Sequence, residues 1–527
     1  MPEPKSVRFE IAATDGAAAI YLINSAFQLV KKGIGRETFS VPPGIYKVKN
    51  RCGRTVDERL IVVREGMSDL KLGPVRVSSA LPLRDAARTH EYHGSAAGAA
   101  ARTTDLSHGS GSHLVIVARQ WTGPAPRASQ LPPPNPARGL SLLDAGGTLV
   151  ADVAALTRVS GTLDPIVTLN VELSPGPYRL SLARADGRRV EQTVIAAPGW
   201  QTHVYLLVQG TVEAEAARVD LVNAAITLQQ PGWSFDPADT GLRAEEIARG
   251  ALQESHNILA PAVRQQFTDS AAAPMLALFG AHLLIREARD AAERLADEPG
   301  TEPAVVDQNR PELRAIVANL RAALGTHPDI EAVAVAAGNP DPGYRLDAPP
   351  MLRASWPLLL ELSAARPGAI PADSAAAFAA ERIWGEGTWL QWLAAGPETG
   401  VDRAALWQEK ARQVLASFGP PAAAGAAGAI ALDLPITGMA TGLPPVLPRS
   451  PVAGAAGMVF RSAKRIFTER VRTPFPTEKF KPSRAEPMRA TGLRRPRAAL
   501  SDEQRAQLVK QLGVPLSRID AWIEQSG

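Results

Sequence analysis

The chain has 527 residues, 45% of them apolar and 21% charged, with 43 Gly and 45 Pro; this suits a soluble protein of several folded modules joined by loose connectors. A single cysteine, Cys52, excludes a disulfide framework and a multi-cysteine metal knuckle. The absence of an N-terminal apolar signal core and of a long uncharged apolar run predicts a cytoplasmic protein without membrane spans. The net charge of +4 hides a split: residues 461–500 hold 12 Lys/Arg against 3 Asp/Glu, leaving the remainder acidic.

Residues 7–72 alternate with period two and are punctuated by turns, which predicts short strands. Val7–Ala13 and Ala18–Asn24 flank a turn at Asp15-Gly16. Val41-Pro-Pro-Gly-Ile-Tyr46 then leads into Lys47-Val48-Lys49, Arg51–Arg54 turns, and Leu60–Val63 and Leu70–Leu72 follow. The same order returns at 113–208. Leu114–Trp121 and Leu140–Leu143 come first, then Ser174-Pro-Gly-Pro-Tyr178 and Arg179–Leu182, an Asp186-Gly187 hairpin turn, and Val190–Ala196 with His203–Leu207. Pro43-Gly44-x-Tyr46 and Pro175-Gly176-x-Tyr178 anchor the repeat. Proline fixes φ, glycine permits a positive φ, and the tyrosine opens the inward face.

This hairpin, repeated as Pro-Gly-x-Tyr-x-Val/Leu, resembles the PEGA family and the wider group of carboxypeptidase-regulatory-like β-sandwiches. The resemblance covers about residues 7–75 and 113–208. It implies non-catalytic domains that bind partners or space other modules.

Residues 81–112 are Gly/Ala/Ser-rich and read as a linker. His90, His93, His108 and His113 lie there and at its edge. His-x-x-His is a metal-compatible spacing. Little in the segment fixes ligand geometry, so the solvated linker is the favoured reading and no metal or cofactor is assigned. Pro132-Pro133-Pro134, inside the second unit, reads as a stiff extended loop.

From about residue 240 the apolar period becomes 3.6, predicting an α-helical bundle at 240–418. Pro274 opens a helix whose Met275, Leu276, Leu278, Phe279, Leu283, Leu284 and Ile285 cover nearly its whole circumference, as expected of a central buried helix. His282 within it is expected to be a hydrogen-bonded core histidine. A stripe of Leu313, Ile316, Val317, Leu320 and Leu324 ends at Gly325, Pro357 starts a helix, and Asp402 caps one carrying Trp407 and Phe418. Trp384, Trp389 and Trp392 read as core rather than as a ligand platform.

Residues 419–500 are an Ala/Gly/Pro-rich, latterly basic linker that carries Arg494, Arg495 and Arg497. Residues 501–527 form a helical hairpin. Ser501 with Gln504 makes a capping box, Gly513 stops the first helix, and Pro515 precedes the second. Its Leu-x-x-x-Leu-Gly-Val … Ile-x-x-Trp spacing resembles a helix-turn-helix. In that family the second helix enters the major groove, yet here it offers Arg518 beside Asp520 and Glu524, which repel phosphate. Leu508, Leu512, Arg518, Ile519 and Trp522 are therefore read first as a face that docks another protein.

The fold class expected is multidomain α+β. Two tandem small antiparallel β-sandwiches (1–80 and 113–210) precede the helical bundle (240–418), the linker (419–500) and the hairpin (501–527). No phosphate loop, dinucleotide fingerprint, His-Glu-x-x-His or nucleophile elbow occurs. Cys52 has Arg51 and Arg54 beside it, charges of the kind that lower a thiol pKa, but a lone thiol with no evident His or Asn partner reads as incidental. The function expected is a cytoplasmic, non-enzymatic scaffold or adaptor that binds proteins. The alternative is a nucleic-acid-binding regulator using residues 461–527.

Overall fold

A computed structural model describes residues 6–53, 55–84, 86, 93–121, 135–160, 165–184, 186–209, 218–254, 258–259, 261–268, 273–296, 309–394 and 500–526. It is a multidomain α+β protein. The expected polyproline loop, His90, the helix after Asp402 and Arg494, Arg495 and Arg497 lie outside the described residues.

The first unit has seven strands: β1 Val7–Ala13, β2 Ala19–Ile23, β3 Leu29–Ile34, β4 Arg36–Val41, β5 Gly44–Cys52, β6 Thr55–Val63 and β7 Asp69–Leu72. They lie in the order β6-β5-β2-β3-β4-β1-β7. One pair, Ile34 with Arg36, joins β3 to β4 around Gly35, whose φ of +65° suits glycine. Phe9, Ile11 and Phe39 on one side of that corner share a core with Ile20, Leu22, Val48 and Ile61 on the other. Strand alternation places these residues inward, as their period of two requires.

The second unit is built from β8 Leu106–Ser107, β9 Ser112–Trp121, β10 Leu140–Leu143, β11 Leu149–Asp152, β12 Ile166–Leu173, β13 Gly176–Ala183, β14 Arg189–Ala196, β15 Gln201–Gln209 and β16 Ala225–Gln229. Two late strands, β17 Ile383–Trp384 and β18 Gln391–Leu393, complete it. The sheets are β11-β10-β13-β14-β18-β17 and β16-β15-β9-β12-β8. Within them, β14-β13-β10-β11 repeats β6-β5-β2-β3, and β12-β9-β15 repeats β4-β1-β7.

The two anchor tyrosines therefore occupy equivalent strands. Each hydroxyl donates to the carbonyl four residues earlier, Tyr46 to Pro42 at 2.9 Å and Tyr178 to Ser174 at 3.0 Å. An ion pair recurs as well, Lys47–Glu58 in one unit and Arg179–Glu191 in the other.

Three features depart from the sequence reading. The sheets are not wholly antiparallel, because β7 and β15 return alongside β1 and β9 in parallel. The stretch before Phe39 contains a separate strand, β3, whose Leu29 and Val30 are exposed and so give no inward signal. Residues 81–112 are more than a linker: α1 (Gly94–Ala100) is packed on the second unit, with Asn170 and Gln201 side chains donating to the carbonyls of Ala100 and Ala101.

The helical part comprises α2 (Val153–Leu156, within the second unit), α3 Thr240–Gln253, α4 Pro261–Thr268, α5 Pro274–Ala296, α6 Arg310–Leu324, α7 Pro328–Ala336, α8 Ser355–Ala365 and α9 Ala375–Ala380. Asp239 caps α3 through the amides of Gly241 and Leu242. As expected, α5 is central: it packs against α3, α4, α6, α7 and β16. No described helix is long and apolar enough to cross a membrane.

The helices and the second β unit share one continuous core. Trp389 is wholly buried, meets Phe279 of α5 edge-on at 6.1 Å, and donates its indole N–H to Ala224. Trp200 likewise donates to Ala323. Trp389→Ala should cost about 3–5 kcal/mol. Strand and helix signals should then be lost in one shifted urea transition; two separate transitions would contradict a shared core.

Candidate functional site

The hairpin forms as its local chemistry dictates. Ser501 and Gln504 complete a reciprocal capping box, and Gly513 ends α10 (Asp502–Leu512) at φ +68°. The second helix is α11 (Leu516–Ser526). Leu508, Leu512, Ile519 and Trp522 are brought together, but the surface they meet is their own chain: both helices pack on α8. The Leu516 amide donates to Ser363 Oγ at 2.9 Å, and Ser517 Oγ donates to the Ile370 carbonyl.

Arg518 is drawn into the same contact. Its Nε donates to Glu381 Oε1 at 2.5 Å and its Nη1 to the Ala372 carbonyl at 3.2 Å. The Glu381 side chain is fully buried, with Arg382 its other cation at 3.3 Å. The face read as a dock for another protein is thus filled in cis. Ala394 is held to the body by a backbone bond to Arg189, and the chain rejoins it at Leu500, which packs on the core.

The described histidines of the 90–113 stretch are not gathered into one site. His93 is buried, His108 is exposed, and His113 Nδ1 lies 3.1 Å from Asn170 Oδ1. Among the described residues, no three His, Cys, Asp or Glu side chains form a metal-holding group.

A buried polar array lies at the start of α8. Asp329 accepts from the amides of Met351 and Leu352, both at 2.9 Å, and from Ser355 Oγ at 2.6 Å. His282 Nε2 lies 3.0 Å from the same Ser355 oxygen. The one hydroxyl hydrogen goes to the carboxylate, so the imidazole must be the donor to oxygen. A nucleophilic serine needs the imidazole as its proton acceptor. This order is the reverse, and all three side chains are buried. The array pins α8 to α7.

Burial pushes His282 down to about 3. His203, buried between Gln201 and Tyr205, is pushed down to about 3 for the same reason. Burial also holds the Glu245 carboxyl well above the usual range, with the neighbouring Glu246 carboxylate adding to the effect.

Cys52 is buried. Its thiol is pushed up to about 12, first by burial and next by Asp15. Asp15 itself receives Arg243 of α3 at 2.6 and 2.9 Å and the Val75 amide, joining the first unit to α3. The adjoining cavity, between Cys52 and Glu246, is about 20 Å³, room for about one water.

Neither a known protein family nor a curated relative matches the chain. Among solved structures, a Bacteroides eggerthii protein proposed to act in cell adhesion is similar at 9% identity. The match covers 45% of this chain and 98% of that one, with a TM-score of 0.13. That overlap carries no argument about fold or function.

Two outcomes follow from the site. The unfolded chain titrates its histidines near about 6.5, whereas His282 and His203 resist protonation to about 3. The unfolded state therefore binds more protons between those values, so stability is full above pH about 6.5 and falls as pH drops toward 3. The urea midpoint should fall from pH 7 to pH 5, and less steeply in His282→Gln; equal slopes would show that His282 does not contribute. Separately, Arg518→Ala leaves the buried Glu381 with only Arg382. It should cost about 3 kcal/mol, the lower end for a broken buried pair, and expose the hairpin to trypsin; unchanged digestion would contradict the dock.

Proposed function

We propose that the chain is a non-enzymatic scaffold or adaptor that presents residues 395–499 to another protein. The observation that carries this reading is the hairpin docked in cis. With that face of α11 taken by its own chain, the remaining candidate for partner contact is the stretch 461–500, which by sequence holds 12 Lys/Arg against 3 Asp/Glu. The two β units, read as small sandwiches of the PEGA-like type, act as spacers. In the second, the strands equivalent to the first unit's two edges are covered, β14 by β18 and β17 and β15 by β16. The catalytic alternative is disfavoured because the histidine, serine and carboxylate clusters described above are spent on structural bonds.

An acidic protein surface is the partner chemistry that Arg494, Arg495 and Arg497 fit. Nucleic acid is the competing reading, and it would draw on the same cations without the buried face of α11. A photo-crosslinking residue placed at 494, 495 or 497 of the full chain, in cells, separates them. A protein adduct is expected. Adducts to nucleic acid alone would favour the regulator, and no adduct from any of the three positions would sink this assignment.

A further inference from the structure

The two β units treat one edge differently. Register through the anchor tyrosines makes Ile61 the equivalent of Val194, because Tyr46 pairs with Ile61 and Tyr178 with Val194. Glu58 then corresponds to Glu191. In the second unit the edge strand β14 does not end its sheet: β18 adds to it antiparallel, pairing Glu191 with Trp392 and Gln192 with Gln391. The corresponding strand β6 ends its sheet, with no strand on its outer side among the described residues.

That bare edge is also apolar. Nine large apolar side chains are exposed among the described residues, and seven belong to the first unit. Leu60 is 74% exposed and Val62 52%, both on β6, with Ile45 of β5 paired to Val62 on the same face. A long edge strand bearing exposed apolar residues is a template for another strand. Its first half is guarded by Asp57, Glu58 and Arg59, and its hairpin tip abuts α3 where Gly53 meets Gly250. The half from Leu60 to Val63 has neither protection.

We propose that the occupant is a second copy of this chain, paired β6 to β6 in antiparallel register about Ile61. That register sets Leu60 opposite Val62 of the second copy, twice by symmetry, and Glu58 opposite Arg64, also twice. Directly opposed apolar pairs and opposite charges are the stabilising combinations in an antiparallel pair. A register centred two residues earlier puts Arg59 opposite itself and Glu58 opposite Leu60, and one centred a residue later puts Leu60 opposite Arg64. A two-fold interface of this kind is closed and self-complementary. The inference goes beyond the scaffold reading, which concerns residues 395–499, and stands or falls apart from it.

Sedimentation equilibrium of the purified full chain tests it. The weight-average mass should rise with concentration toward that of two 55.8 kDa chains. Leu60→Lys with Val62→Lys, at exposed sites and with unchanged circular dichroism, should raise the dimer Kd at least roughly tenfold. Arg64→Glu should weaken association, and adding Glu58→Arg to it should restore association. A chain that stays monomeric throughout, a dimer indifferent to Leu60 and Val62, or a charge swap that fails to restore it would overturn the proposal.

Discussion

The structure depends on the burial of Trp389. Its indole fills the space between α5 and the second β unit and satisfies its N–H on Ala224. The residues just after it continue as β18, hydrogen-bonded to β14. One short segment therefore both closes the helical core and extends the sheet. Burying a large aromatic with its one donor satisfied combines area and direction, which apolar burial alone does not provide. This is why the helices and the second β unit have a single core instead of two.

The first unit is attached differently. Most of its buried apolar residues form a separate core, while Ala17, Ala18 and Cys52 join the larger one beside Ile247 and Ala251 of α3; there Arg243 spans Asp15 and the Val75 carbonyl and two glycine backbones meet. The duplicated strand order thus serves two settings. In one copy the flanking strands and helices cover the repeat, and in the other the sheet edge and outer face stay open. Duplication supplies the same backbone twice, and the side chains on the outward positions decide what each copy can meet.

Ionisable groups are spent in the interior in the same manner. Asp329 organises three donors at the start of α8, Glu381 holds Arg518, and Glu246 holds Arg249 within α3. Buried charges survive only when paired and hydrogen-bonded, and these are. Groups committed in this way fix orientation and leave no proton to give or take. The exposed large apolar side chains of the first unit, Leu60 and Val62 among them, stand apart from these committed groups.

The sequence by itself determined what depends on neighbours in the chain. The Pro-Gly-x-Tyr turns, the inward alternation of β1 and β5, the capping box at Ser501 and the buried character of α5 all follow from local rules of φ, hydrogen bonding and period. The equivalence of Tyr46 and Tyr178 was legible because each turn and its following strand are contiguous. What was not legible depended on residues far apart. Leu508, Ile519 and Trp522 announce an apolar face but not its owner, since α8 lies over 130 residues away and any apolar groove would satisfy the same pattern. The strands β17 and β18 are too short to show a period, and β3 is too exposed to show one. Arg51 beside Cys52 says nothing of Asp15 or of burial, which only the fold brings to that thiol. Tertiary structure decided the closed hairpin, the shared core and the bare β6 edge, because each is a contact between surfaces whose complementarity no single stretch of chain encodes.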